Sequence, residues 1–299
     1  MKNKKLLVPS LVATMALAAC GGGGGGSSGG SAASAANSAS SPSSATASSP
    51  AAASSPAAAS TPTVAGEALP SLTSPQAGST ASTGNGIEGI WSTGYGVTRN
   101  TAFIDSQNNI SYMSGVASTV LEEFFGVVTT AAPNWTLTSG DYFDLGTYWP
   151  TTSGSGTFAG SQTFAGSYVA NGTTYSLSWT YDPANALAVS QSSVTGTWSE
   201  TGSSLTVSDN GAVTGTLSNC PVTGTLLLAT PSSSQNLYTL SVTGTTTGGC
   251  LLQEGTTYSG NAAITFLPIS GSNLYQRTIT YLIRSSNNSA IAYGQLSKQ

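Results

Sequence analysis

The stretch FAGSYVANGTTYSLSW, residues 164–179, decides the fold class. The dipeptide Asn171-Gly172 is a two-residue turn signal between runs rich in aromatic and β-branched residues, so the stretch predicts a β-hairpin. A two-residue loop pairs three sets of residues on one face: Tyr168 with Tyr175, Gly166 with Leu177, and Phe164 with Trp179. Because aromatic residues meet twice in this register, we expect that face to be buried.

A second hairpin is predicted in LTVSDNGAVTG, residues 205–215. A two-residue loop would set Val207 opposite Thr214. A three-residue loop, residues 209–211, sets Val207 opposite Val213 and keeps apolar residues on one face. We therefore favour the longer loop, with Gly211 in the left-handed conformation.

The sequence contains an internal repeat. GIWS at residues 89–92 matches GTWS at residues 196–199, and each is followed by a predicted hairpin with an equally spaced apolar pair: Ile104 with Ile110, and Val207 with Val213. Short runs of Thr, Val, Tyr, Ile and Phe, broken every 8–12 residues by turn residues, are typical of an all-β sandwich or barrel. The prediction is an all-β protein with two related antiparallel units, residues 86–190 and 191–299, either as separate barrels or as one shared sheet system. A Gly-x-Trp opening before antiparallel strands also resembles lipocalin-like barrels, in which the Trp closes one end.

The N-terminus has the features of a secretory signal. Residues 1–19 combine a lysine-rich start, an apolar run and small residues before Cys20. LAAC, residues 17–20, resembles the lipobox of bacterial lipoproteins. The resemblance implies that Cys20 carries fatty acyl chains such as palmitate and anchors the protein to a membrane. Gly21, in place of Asp, implies the outer membrane by that family's sorting habit; whether the periplasmic or the surface face is used stays open.

Residues 20–85 form a predicted linker. After Cys20 they are almost entirely Gly, Ser, Ala, Thr and Pro, a composition that cannot bury enough apolar surface to fold, so we expect disorder up to residue 85. Cys20 followed by six glycines is similar to the start of surface lipoproteins such as transferrin-binding protein B and the factor-H-binding proteins. The whole chain resembles β-rich proteobacterial lipoproteins with a two-copy domain, a likeness that implies no particular activity.

Charge and composition exclude several function classes. Beyond the signal, four basic residues stand against eleven acidic ones, a net charge of −7, and there is no histidine. The four cations are Arg99, Arg277, Arg284 and Lys298. They cannot build a basic patch, so we expect no nucleic-acid partner. Histidine is the commonest general base and metal ligand, and no cofactor motif is present, so we expect no metal, no cofactor and no enzyme activity.

Cys220 and Cys250 are the cysteines that remain once Cys20 is acylated. An exported chain folds where disulfides form and persist, so we expect these two to pair. Closing a loop of about 30 residues would stabilise the fold by roughly 3 to 4 kcal/mol in the chain-entropy model.

Two pairs of carboxylates are candidate chemical sites. Glu122 and Glu123 are adjacent, and neighbours on a strand point to opposite faces, so we expect solvent or rim positions rather than an acid and base pair. Asp141 and Asp144 could offer oxygens to Ca²⁺, but the spacing of a known calcium loop is missing, which favours an ordinary loop.

The densest aromatic stretch supplies the candidate binding residues: Trp135, Tyr142, Phe143, Tyr148 and Trp149. On loops they would form a platform for a glycan or a partner protein, whereas the alternative is that they cap the β core. The sequence therefore favours a membrane-anchored, non-catalytic binding or structural module. The alternatives are a lipocalin-like carrier or enzyme inhibitor and, less favoured, a hydrolase that uses carboxylates.

Overall fold

The computed structural model describes residues 66–94, 98–116, 119–246, 249–288 and 290–299. The predicted signal, Cys20 and the linker up to residue 65 lie outside these described residues. All described residues belong to one compact unit. The unit contains two closed, eight-stranded antiparallel barrels, which confirms the predicted all-β class and resolves it into barrels.

Barrel one lies within the predicted unit 86–190, and its strands follow one another around the wall until β8 pairs with β1. Its strands are β1 (Gly89–Ser92), β2 (Thr98–Ile104), β3 (Asn109–Val116), β4 (Thr119–Ala131), β5 (Asn134–Asp144), β6 (Thr147–Ala159), β7 (Thr163–Ala170) and β8 (Thr173–Tyr181). Two short 3₁₀ helices, Pro183–Ala186 and Gln191–Val194, connect it to barrel two.

Barrel two lies within the predicted unit 191–299 and closes where β16 pairs with β9. Its strands are β9 (Gly196–Glu200), β10 (Ser203–Val207), β11 (Ala212–Leu217), β12 (Cys220–Leu228), β13 (Tyr238–Gly244), β14 (Thr257–Pro268), β15 (Tyr275–Ser285) and β16 (Ile291–Lys298). The described α-helix is one turn, α1 (Thr80–Thr83).

Both predicted hairpin registers are confirmed. In β7 and β8, Tyr168 pairs with Tyr175 and Phe164 with Trp179. Asn171 and Gly172 both have positive φ, as a two-residue hairpin turn of this hand requires. In β10 and β11 the longer loop is used, because Val207 pairs with Val213.

The internal repeat is visible as equivalent geometry at the two Trp residues. The indole N–H of Trp91 donates to the Ile87 carbonyl over 2.7 Å, and that of Trp198 donates to the Val194 carbonyl over 2.7 Å. Each acceptor lies four residues before its Trp. The glycine two residues before each Trp has a positive φ, which explains the Gly in both motifs.

Both barrel interiors are filled with side chains. Barrel one is mainly aromatic, and Phe164 stacks between Trp135 and Trp179 at centroid distances of 5.0 and 5.5 Å. Its other large buried residues are Trp91, Tyr112, Phe124, Tyr142 and Tyr168. Barrel two combines aliphatic residues with a few aromatic ones, among them Trp198, Leu205, Val222, Leu240, Ile264 and Tyr281. Such interiors are close-packed cores.

The two barrels pack side by side along a seam. Outward-facing side chains of barrel one join the apolar cluster of barrel two: Ile90, Phe103, Met113, Phe125 and Phe143. The outer face of β14 and β15 is also buried, at Ala263, Thr265, Thr278, Thr280 and Leu282. The hydroxyl oxygen of Thr265 lies 2.9 Å from that of Thr278 and 2.6 Å from that of Thr280. The buried hydroxyls therefore satisfy one another.

Residues 66–85 pack against the barrels, which corrects the predicted end of the disordered linker. Glu67 exchanges two backbone hydrogen bonds with Tyr275, and its carboxylate forms an ion pair with Arg277. Thr80 of α1 is fully buried, and its hydroxyl oxygen accepts the backbone N–H of Asn236 over 3.0 Å. Hydrogen bonds to barrel two thus hold a segment whose composition alone predicts disorder.

Candidate functional site

A cleft of about 590 Å³ opens on the outer surface where the two barrels diverge from the seam. Its lining is mostly hydroxyl and amide side chains. Barrel one contributes Asn109, Ser111, Phe125, Val127, Thr138, Ser139, Asp141 and Pro150, among others. Barrel two contributes Thr239, Ser259, Asn261 and Arg284. The volume falls within the range of small-molecule sites, about 300 to 1,000 Å³.

The barrel-one wall of the cleft is irregular. β5 has an extra residue, Thr138, opposite β4, and β6 has an extra residue, Thr152, opposite β7. Between these bulges, the pairing of β5 with β6 is interrupted at residues 137–140 and 151–154. These two bulges and the interrupted pairing lie at the same level of the barrel wall, and β-bulges are frequent next to functional sites.

Arg284 and Asp141 form an ion pair across the cleft, from β15 to β5. The Arg284 guanidinium also lies 4.3 Å from the centroid of the Phe125 ring and donates to Asn288 Oδ1 over 3.0 Å. Asp141 Oδ1 accepts the Tyr148 hydroxyl over 2.9 Å. Both charges are therefore engaged within the protein.

Asp105, the other charged lining residue, is engaged by its own turn. Its carboxylate accepts the backbone N–H groups of Gln107 and Asn109 and the side-chain amide of Asn109, at 2.8 to 2.9 Å. Both carboxylates that line the cleft, Asp105 and Asp141, are therefore bonded to groups of the protein itself. Among the described residues, no group of three or more His, Cys, Asp or Glu side chains could hold a metal ion.

The predicted aromatic platform is wrong for most of its members. Trp135 and Tyr142 lie inside barrel one, 2% and 1% exposed, and Phe143 is buried in the seam. Trp149 is partly buried against the core of barrel one. They contribute to packing, the alternative that the sequence left open, because alternate positions of a barrel strand face its interior.

Tyr148 is the predicted binding residue that stays at the surface. Its side chain is 39% exposed, and its hydroxyl is held by Asp141 at the cleft. The ring also contacts Phe143 at a centroid distance of 5.5 Å. Tyr148 is therefore fixed next to Asp141, a residue that lines the cleft.

The two glutamates of β4 do lie on opposite faces, but the expected exposed positions are wrong for one of them. Glu122 pairs with Asp144, whereas Glu123 pairs with Phe143 of the seam and is only 6% exposed. Burial raises the pKa of Glu123 to about 7, with Asp144 and Glu122 adding repulsion. Asp141 and Asp144 face opposite sides of β5 as well, so they cannot bind one Ca²⁺ ion together.

Cys220 and Cys250 lie side by side as free thiols in this structure, 2.8 Å apart. Cys220 begins β12 and is buried, while Cys250 is half-buried in the connection between β13 and β14. The neighbouring Cys220 thiol raises the pKa of Cys250. The predicted proximity is thus present, and the bond itself stays a prediction.

Sequence reasoning singled out Asp141 but missed most other residues of the cleft, including Arg284, Asn261, Thr239 and Ser259. Only Arg284 carried a usable signal, because it is a lone cation in the otherwise apolar run TYLIRS. The others are ordinary polar positions on strands, and only the packing of one barrel on the other brings them together.

Comparison with family models, curated proteins and solved structures finds no match for this chain. Among the described residues, no helix has the length and apolar character needed to cross a membrane.

Proposed function

We propose that this protein is a cell-envelope lipoprotein whose two-barrel unit is a non-catalytic binding module, with its ligand site in the cleft between the barrels. The cleft carries the proposal: two bulges and an interrupted strand pairing shape its barrel-one wall. A rigid scaffold with a locally irregular, polar concavity is typical of a binding site. The filled interiors favour this external site over a ligand carried inside a barrel.

The anchor is inferred from the sequence. The lipobox at residues 17–20 supports acylation of Cys20 after cleavage of residues 1–19, and residues 21–65 supply a Gly/Ser/Ala/Pro linker. Two or three acyl chains hold a protein stably on a bilayer, whereas a single chain holds it marginally. The outer membrane is the proposed location, and oxidation of Cys220 and Cys250 to a disulfide accompanies export.

The anchor is tested by fractionation and intact mass. In a proteobacterial host, the wild-type chain should pellet with membranes and carry the mass of an acylated Cys20, whereas Cys20→Ser should be soluble. Wild-type protein that is soluble and has an unmodified cysteine would contradict the anchor.

The cleft is tested by native mass spectrometry of full-length protein purified from its own host. Thr239 is exposed, lines the cleft and faces out from β13, whereas Thr223 is exposed on neighbouring β12 away from it. A bound mass should persist in Thr223→Trp and disappear in Thr239→Trp, because the indole fills the cleft. A bound mass unaffected by Thr239→Trp would place the site elsewhere.

A further inference from the structure

We propose that the ligand of the cleft is a neutral oligosaccharide, an inference that rests on the proposed binding function of this cleft. The first support is the state of the charges. Arg284 is engaged by Asp141, Asn288 and the Phe125 ring, and Asp105 is engaged by its own turn. An anionic or cationic ligand would have to break these contacts before gaining its own, which disfavours ionic ligands.

The second support is the set of hydroxyls that the protein leaves available. Within the described residues, the hydroxyls of Thr138 and Ser139 on barrel one and of Thr239 and Ser259 on barrel two have no hydrogen-bond partner. All four side chains are exposed. A hydroxyl both donates and accepts, so these groups complement a ligand that is itself covered with hydroxyls. They lie on both walls, which suits a ligand held between the barrels.

The third support is the apolar surface beside these hydroxyls. Val127 and Pro150 line the barrel-one wall, and the Tyr148 hydroxyl donates to Asp141, which also lines it. A sugar ring has apolar C–H faces and a hydroxylated edge, so it can use both kinds of surface at once. A purely apolar ligand would instead leave the hydroxyls without partners.

A peptide that adds as a strand at the broken ladder is the competing ligand. The break is closed at both ends, because Thr136 pairs with Ser155 and Asp141 with Pro150. Thr151 Oγ1 also donates to the Gly140 carbonyl across the gap over 2.8 Å. A strand needs an open edge along which it can continue, so this closed gap disfavours strand addition.

The test is calorimetric titration of the full chain in a detergent that contains no sugar. The probes are neutral tri- to hexasaccharides of glucose, mannose and N-acetylglucosamine. Oligogalacturonate tests for an anionic ligand, and a ten-residue Thr/Val peptide tests for a peptide that binds as a strand. At least one neutral saccharide should bind saturably. Thr239→Trp should weaken that binding by at least about tenfold, and the control Thr223→Trp should leave it unchanged.

Three results would overturn the saccharide assignment. The first is that no neutral saccharide binds, and the second is that a saccharide binds but Thr239→Trp does not weaken its binding. The third is that only oligogalacturonate or the Thr/Val peptide binds. The proposed function is judged separately. If Thr239→Trp removes a bound mass from the host-purified protein while every neutral saccharide fails, the cleft is a binding site for another ligand class. If Thr239→Trp changes neither measurement, both proposals fail.

Discussion

Arg284 of barrel two and Asp141 of barrel one form an ion pair across the seam, and their side chains are only 29% and 25% exposed. The guanidinium also covers the Phe125 ring. Partial burial reduces solvent screening, so this pair should contribute more than an exposed one.

We therefore expect Arg284→Met to lower the free energy of unfolding by about 1 to 2 kcal/mol, measured by urea denaturation. The matched control is Arg277→Met, which removes the more exposed ion pair with Glu67, with side chains 38% and 36% exposed. That change should cost less than about 1 kcal/mol. A smaller loss for Arg284→Met than for Arg277→Met would contradict the assigned role.

Asn236 connects three parts of the unit, and we expect its substitution to destabilise the protein far more than substitution of either arginine. It is fully buried; its amide donates to the carbonyls of Ala184 and Ile264, and its Oδ1 accepts the Ile264 N–H, at 2.8 to 3.0 Å. Asn236→Leu leaves these backbone groups buried without partners, at about 1 to 3 kcal/mol each, so we expect a loss above about 3 kcal/mol.

Asn261→Leu is the matched control for Asn236→Leu, because Asn261 is half-buried and makes one 3.2 Å bond, to the Ser111 hydroxyl. Its urea midpoint should change little. Similar midpoints for the two variants would show that Asn236 does not hold the unit together.

The sequence predicts most of the fold because the information is local. Asn171-Gly172 and the loop at residues 209–211 fix their hairpin registers through turn chemistry, and the two Gly-x-Trp motifs mark equivalent barrel openings. Strand alternation then decides which face each residue takes.

The candidate site could not be predicted in the same way, because it depends on contacts between distant strands. Thr239 and Ser139 line one cleft only because the barrels pack against each other. In the aromatic stretch, the bulge at Thr138 shifts the alternation, so the pattern does not reveal that Tyr142 faces the interior. Residues 66–85 share the composition of the linker, and hydrogen bonds to residues such as Asn236 distinguish them.

Glu123 should make the stability of the seam depend on pH. Its pKa is raised from 4.5 to about 7, chiefly by burial and further by Asp144 and Glu122. The folded protein thus holds this proton more tightly than the unfolded chain. The contribution of Glu123 to the free energy of unfolding is therefore fully present below about pH 4.5, decreases as pH rises, and is lost above about pH 7. The full effect is about 3 kcal/mol.

Glu123→Gln should remove this dependence. Urea denaturation at pH 4.5 and pH 8 should show the variant more stable than wild type at pH 8, with little difference at pH 4.5. Glu122→Gln, at a half-buried position, should produce a smaller gain at pH 8. If Glu123→Gln changed the free energy of unfolding equally at both pH values, the Glu123 side chain would not be protonated selectively in the folded state.

We expect Cys220 and Cys250 to form a disulfide when the chain is exported as proposed, since their side chains already lie 2.8 Å apart. The bond would join the start of β12 to the connection between β13 and β14 and close a loop of about 30 residues. In the chain-entropy model this closure raises the free energy of unfolding by roughly 3 to 4 kcal/mol. Reduction should therefore lower the urea midpoint of wild type but not of the matched variant Cys250→Ser. Thiol titration of denatured, unreduced protein gives the direct measurement: neither cysteine should react, and two reactive groups per chain would show that the thiols remain free despite their contact.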